Sequence, residues 1–148
     1  MKVYIASRYI ANQKINHEIF EELKSVNVNA FLPKSINVDA ISKEEMCYVA
    51  ETCYDELDVC DVILAVFPFR ESVSAEIGYV INEKRKKHNK TIILYVIDTE
   101  GYEKITKEAM IYPYFDYEFF SDSCVNSQAA MSGLDIKGLA DFIKSLDK

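Results

Sequence analysis

Residues 62–67 read VILAVF, and residues 91–97 read TIILYVI. Each is a continuous apolar run with no polar alternation, the pattern of a strand whose two faces are both covered. Between them, from Ser72 to about Lys87, the spacing predicts a helix. Upstream of Val62 a second helical period begins at Ser42, where Ser42 and Glu45 form a capping-box pattern. It carries Met46, Val49, Ala50, Cys53, Leu57 and Cys60 on one face and Glu51, Asp55 and Asp58 on the other. Further back, residues 2–6 (KVYIA) predict a buried strand. Ile15, Ile19, Phe20 and Leu23 recur at helical spacing, with Asn12 as N-cap, and Val28–Leu32 makes a short strand ended by Pro33. Downstream the signals are weaker: a helix near 102–110, a strand at 115–120, and a last helix over 135–146.

Strands alternating with helices imply a parallel sheet with right-handed crossovers and helices on both faces. The expected fold class is α/β: a doubly wound five-stranded parallel sheet, flavodoxin-like or Rossmann-like, in three layers. No linker or repeat divides the chain, so residues 1–148 are expected to form one domain.

Composition narrows the function classes. The net charge of −7 argues against a general role on nucleic-acid backbones, which demand a basic face. Lys84-Arg85-Lys86-Lys87 closes a helix, where cations favour the dipole, and reads as a solvated face. Cys47, Cys53, Cys60 and Cys124 match no zinc or redox spacing. With no signal-peptide pattern at the start they read as reduced thiols, and the chain is expected in the cytoplasm. No apolar run approaches the roughly 20 residues of a membrane helix. His17 and His88 have no ligand-spaced partners, so no metal is expected. The four glycines (Gly78, Gly101, Gly133, Gly138) cannot compose a dinucleotide fingerprint or a phosphate loop.

In doubly wound sheets ligands bind beyond the carboxyl ends of the strands. Ser7, Arg8 and Tyr9 follow the first strand there. Pro68, Phe69, Arg70, Glu71 and Ser72 follow the third, leading into a helix, and Asp98, Thr99 and Glu100 follow the fourth. If the first and third strands are neighbours, Arg8 and Arg70 face the start of that helix, whose free N–H groups suit an anion. Surface pairing of the arginines with Glu71 or Glu100 is the plainer alternative. Glu76 falls about one turn inside, where the helix dipole should keep it ionised, as attack on an anomeric carbon requires. Its plainer reading is a first-turn acid that merely complements the helix start.

The opening KVYIAS, the strand CDVILAVF and above all the segment SAEIGYV (residues 74–80) resemble the nucleoside 2-deoxyribosyltransferase family, which includes deoxynucleoside 5′-monophosphate N-glycosidases. The resemblance covers roughly residues 2–97. It implies a doubly wound α/β fold, a homodimer or higher homo-oligomer, and catalysis without metal or organic cofactor. Glu76 matches the family's nucleophile in Glu76-Ile77-Gly78-Tyr79, and Gly78 would let the helix pack closely on the sheet. Tyr4 matches a first-strand tyrosine whose hydroxyl lies near that glutamate. Asp61, at the amino end of its strand, reads as structural.

The chain also departs from the family pattern. Ser7, Ser72 and Ser74 stand where glycines are usual. Arg70 stands six residues before the nucleophile, where nucleoside transferases tend to carry an aspartate and the monophosphate branch a serine. Cys53 replaces an aspartate about eight residues before Asp61. With Arg8 nearby, Arg70 favours a phosphate-bearing substrate. By this reading Glu76 and Tyr4 are catalytic, while Ser7, Arg8, Phe69, Arg70, Ser72 and Ser74 bind a small nucleoside or nucleotide. In the family, residues after the last strands complete a neighbouring subunit's pocket, which makes Ser123, Asn126 and Ser127 candidates by location. The rival reading is a nucleotide sensor without turnover, motivated by Cys53 and the missing glycines. A third is cleavage of another N-riboside such as a nicotinamide dinucleotide.

Overall fold

The apolar run at 62–67 is the middle of the sheet. The computed structural model describes residues 1–33, 42–86, 89–102, 111–125 and 133–148. Its five strands are β1 (Lys2–Ala6), β2 (Asn29–Phe31), β3 (Val62–Phe67), β4 (Thr91–Val96) and β5 (Tyr117–Phe120). They pair in the order β2-β1-β3-β4-β5, every pair parallel. The helices are α1 (Gln13–Ser25), α2 (Lys43–Val59), α3 (Glu71–Arg85), the short α4 (Asp122–Val125) and α5 (Ile136–Ser145). The doubly wound α/β expectation therefore holds, including the flavodoxin-like order. The helix expected near 102–110 falls almost wholly outside the described residues.

Alternation along each strand divides the core into two layers. Val3, Ile5, Val62, Leu64 and Val66 point to one face, where Ile19 and Leu23 of α1 and Leu139 and Ile143 of α5 cover them. Tyr4, Ala6, Ile63 and Ala65 point to the other, against Leu57 of α2 and Val73, Ile77 and Val80 of α3. Burying an aliphatic side chain contributes about 1.5–3 kcal/mol. All six residues of β3 are buried, so this strand anchors both layers.

Capping sets the helix ends. Ser42 accepts from the Glu45 backbone N–H (3.2 Å), and Asp135 caps α5 by accepting from Gly138 (2.7 Å). Asn12 occupies the N-cap position of α1, but its side chain turns back to donate to Ser7 Oγ (3.1 Å). Asp61 behaves as a structural residue: its Oδ2 accepts from the Lys2 backbone N–H (2.7 Å) and pins β1 to β3 away from the cleft. The late aromatics pack on their own domain, with Tyr117 and Phe119 against Phe142 of α5 (4.9 and 4.8 Å between ring centroids). Cys60 and Cys124 are buried among apolar neighbours, and their thiols donate to the carbonyls of Leu57 and Val96. No described helix is long and apolar enough to cross a membrane.

Candidate active site

The order β2-β1-β3 places the point where the winding reverses between β1 and β3, and the loops leaving these neighbours diverge to opposite sides. A cleft of about 680 Å³ opens there. Ser7 and Arg8 line it from the β1–α1 loop. Arg70 and Ser72 line it from the start of α3, and Glu76 from one turn deeper on the same helix. A small-molecule site commonly has roughly 300–1,000 Å³.

Tyr4 lies beneath the cleft. Its ring is fully buried on the α2–α3 face of β1, 5.4 Å from the ring of Phe31, and its hydroxyl donates to Glu76 Oε1 at 3.0 Å. Strand parity decides this contact: Tyr4 shares its face with Ile63, its partner on β3, while Val3 and Ile5 point the other way.

Burial raises the Glu76 carboxyl to about 7, opposed by the Tyr4 hydrogen bond, which favours the charged form. The expectation that the helix dipole keeps Glu76 fully ionised is corrected on this point. The helix starts at Glu71, so Glu76 lies beyond its first turn, where the dipole's influence has faded. Desolvation prevails. Burial, followed by the charge of Glu76, holds the Tyr4 phenol far above its ordinary range, so it acts as a fixed donor. The Cys53 thiol lines the cleft and interacts with the Tyr4 hydroxyl; burial raises it too, with Glu76 adding to the effect.

Arg8 contributes a buried Nε with no hydrogen-bond partner, and neither Arg8 nor Arg70 forms an ion pair with a described residue. The loop carrying Arg8 is held by Asn16, nearly fully buried, whose Nδ2 donates to the Arg8 carbonyl (3.2 Å). Arg70 sits at the N-cap of α3 without a side-chain cap, leaving the first-turn N–H groups open to a ligand.

Six of the eight expected site residues thus converge: Tyr4, Ser7, Arg8, Arg70, Ser72 and Glu76. Two do not. Phe69 packs edge-on against Phe67 (5.2 Å between ring centroids) in the adjoining core, and Ser74 is exposed on α3 away from the cleft lining. The role expected of Gly78 is also corrected. Val73, Ile77, Val80 and Ile81 form the buried face of α3, so Gly78 is turned to solvent, and a Cβ placed there would meet nothing within 4 Å. Asp98 and Glu100 stay off the cleft lining, and Asp98 instead accepts from the Glu100 backbone N–H (3.0 Å). Ser123 is exposed beside β5, and Asn126 and Ser127 lie outside the described residues.

One wall was not anticipated as such. Met46, Val49, Ala50, Cys53 and Tyr54 of α2 also line the cleft, as do Tyr9 and Ile10 of the β1–α1 loop. Their helical spacing places most of them on one face in the sequence, without saying what that face meets. Met46 is 42% exposed, and only Leu57 and Cys60 at the far end are buried. A stripe that lines a cleft and one that covers a sheet have the same period.

Among the described residues no group of His, Cys, Asp and Glu is arranged to hold a metal ion. Fold and site together define a doubly wound α/β protein with a carboxylate at the base of its switch-point cleft. Among solved structures the chain is similar to a 2-deoxyribosyltransferase from Bacillus psychrosaccharolyticus, with a TM-score of 0.61 and 16% identity over 86% of this chain and 91% of that one. It is also similar to a conserved protein from Enterococcus faecalis V583, with a TM-score of 0.58 and 17% identity over 99% and 98% of the two chains. At these identities the likeness is one of fold. No protein-family model and no curated protein matches the sequence.

Proposed function

We propose that the cleft cleaves or transfers the N-glycosidic bond of a deoxyribonucleoside or its 5′-monophosphate, with Glu76 as nucleophile. The observation that carries the reading is the 3.0 Å bond from the buried Tyr4 hydroxyl to the Glu76 carboxylate at the cleft floor. That donor orients one oxygen and leaves the other for the sugar. Attack on C1′ displaces the base and forms a glycosyl-enzyme ester, which water or a second base resolves. Arg8, Arg70, Ser7 and Ser72 serve the 5′ side. The unpartnered Arg8 Nε and the open start of α3 favour a phosphate there. The chain acts in the cytoplasm as a homodimer or higher homo-oligomer, needs no cofactor, and belongs with the nucleoside 2-deoxyribosyltransferases.

The test is base release from deoxynucleosides and their monophosphates, followed by chromatography. Glu76→Ala abolishes release while circular dichroism shows an intact fold; full activity in that variant removes the mechanism. A second reading, a nucleotide sensor without turnover, is favoured by the wall carrying Cys53, which presents no carboxylate to a leaving base among its described residues. Tight binding of a monophosphate with no base released over hours selects that reading.

A further inference from the structure

Four polar side chains are buried among the described residues: Asn12, Asn16, Lys90 and Ser121. The first two stand one turn apart at the start of α1, on the side that meets the loop carrying Ser7 and Arg8. Asparagine is a poor residue for a helix interior, and a buried amide costs free energy unless its bonds are made. The other buried residues of α1 are Ile19 and Leu23, so Asn16 interrupts an otherwise apolar face.

Both amides turn to the cleft loop. Asn12 forgoes the usual cap of its own helix and donates through Nδ2 to Ser7 Oγ (3.1 Å). A hydroxyl oxygen that accepts this bond keeps its own proton to donate, and Ser7 lines the cleft. Asn16 donates through Nδ2 to the Arg8 carbonyl (3.2 Å), which the Asn12 backbone N–H also holds (3.0 Å). Two donors from α1 therefore fasten the main chain of Arg8. Its side chain is left open: it lines the cleft, and its buried Nε has no hydrogen-bond partner.

Asn16 makes this bond at a cost to the fold. The residue is 1% exposed and does not line the cleft, and its Oδ1 is buried without a hydrogen-bond partner. A leucine of similar volume would remove that orphaned acceptor and continue the apolar face. The Arg8 carbonyl would still keep its bond from Asn12. Stability alone does not account for an amide here, whereas a hold on Arg8 does.

We infer that Asn16 is a positioning residue: without touching substrate, it fixes the root of Arg8 so that the guanidinium is presented to an anionic group in the cleft. The inference rests on the reading of Arg8 as a ligand of the substrate's phosphate and goes further in tracing that ligand's placement to α1. An arginine side chain loses much rotamer freedom when it is ordered. Anchoring its main chain beforehand reduces what remains to be ordered on binding, so the anion binds more tightly.

The probe is 2-deoxyribose 5-phosphate, the part that every candidate monophosphate shares. It is titrated calorimetrically into the native chain, Arg8→Ala, Asn16→Leu and the double variant. Arg8→Ala is expected to weaken binding about 10- to 100-fold, the worth of one or two charge-assisted bonds. Asn16→Leu weakens it about tenfold, while its midpoint in urea stays at or above that of the native chain. In the double variant the leucine adds nothing to the loss from Arg8→Ala, because the residue it acts through is gone. Should Asn16→Leu fail to fold, Asn16→Ala carries the same expectations for binding. Native affinity in the Asn16 variant, or a loss that adds in full to that of Arg8→Ala, overturns the inference and leaves Arg8 as a phosphate ligand. No binding by the native chain, or no loss from Arg8→Ala, overturns the reading of Arg8 and the inference with it.

Discussion

At the scale of single residues, the proposed chemistry rests on the pair of Tyr4 and Glu76. In the proposed mechanism only ionised Glu76 attacks, and burial raises its carboxyl to about 7. Thus kcat/KM should fall tenfold per pH unit below about 7 and level off above it. Tyr4 donates to the charged form and lowers this value, so Tyr4→Phe should move the descending limb to higher pH as well as reduce the plateau. A pH profile of base release for both chains checks the direction; a limb that stays in place removes the coupling. The same shift has a cost in stability. The folded state binds a proton at Glu76 more tightly than the unfolded state, so between about 4.5 and 7 stability declines as pH rises. Glu76→Gln should therefore gain of order 2 kcal/mol over the native chain at pH 8 and almost nothing at pH 4. Urea unfolding at the two pH values measures it, and equal gains would contradict a titrating origin.

At the scale of elements, the position of α2 is set by a residue distant in sequence. Its last turn contains no basic side chain. Instead Lys90, only 7% exposed just before β4, sends its Nζ to the carbonyls of Leu57 (2.7 Å), Asp58 (2.8 Å) and Cys60 (2.8 Å). A cation there answers the orphan carbonyls of the helix end and holds α2, and with it one wall of the cleft. Lys90→Met keeps the apolar stem and removes all three bonds. It should cost about 2–4 kcal/mol in urea unfolding, because buried carbonyls lose their donor. A change within a few tenths of a kcal/mol would show that water replaces the ammonium freely. Nothing near Lys90 in the sequence announces this role. Ser42, Glu45 and the apolar runs of β3 and β4 were legible because their signals are local. The wall formed by Met46, Val49 and Ala50 was visible as a stripe on one face of the helix but not as part of a site, since periodicity reports a shared face and not what that face meets.

At the scale of the whole molecule, the strand order gathers cations at one spot of a chain with net charge −7. A phosphate approaching Arg8 and Arg70 responds to that local field rather than to the total. Replacing both arginines by alanine should raise KM for a deoxynucleoside monophosphate about 10- to 100-fold and leave the nucleoside nearly unchanged, as one or two charge-assisted bonds are worth about 1.5–3 kcal/mol each. Kinetics on the paired substrates checks it, and an equal loss on both would assign the arginines to structure.

Residues 2–97 by themselves determined the alternation of strands and helices, the parallel sheet and the carboxyl edge as the place for a site, because apolar period and capping are written within a few neighbours. They also singled out Glu76 and Tyr4, through a resemblance carried by a short motif. Tertiary structure alone decided that Glu76 is desolvated enough to resist ionisation, and that Phe69, Ser74 and Gly78 lie off the cleft lining. Those outcomes depend on which segments meet across the fold, and burial of a charge is a property of the assembled surroundings rather than of the residue that carries it.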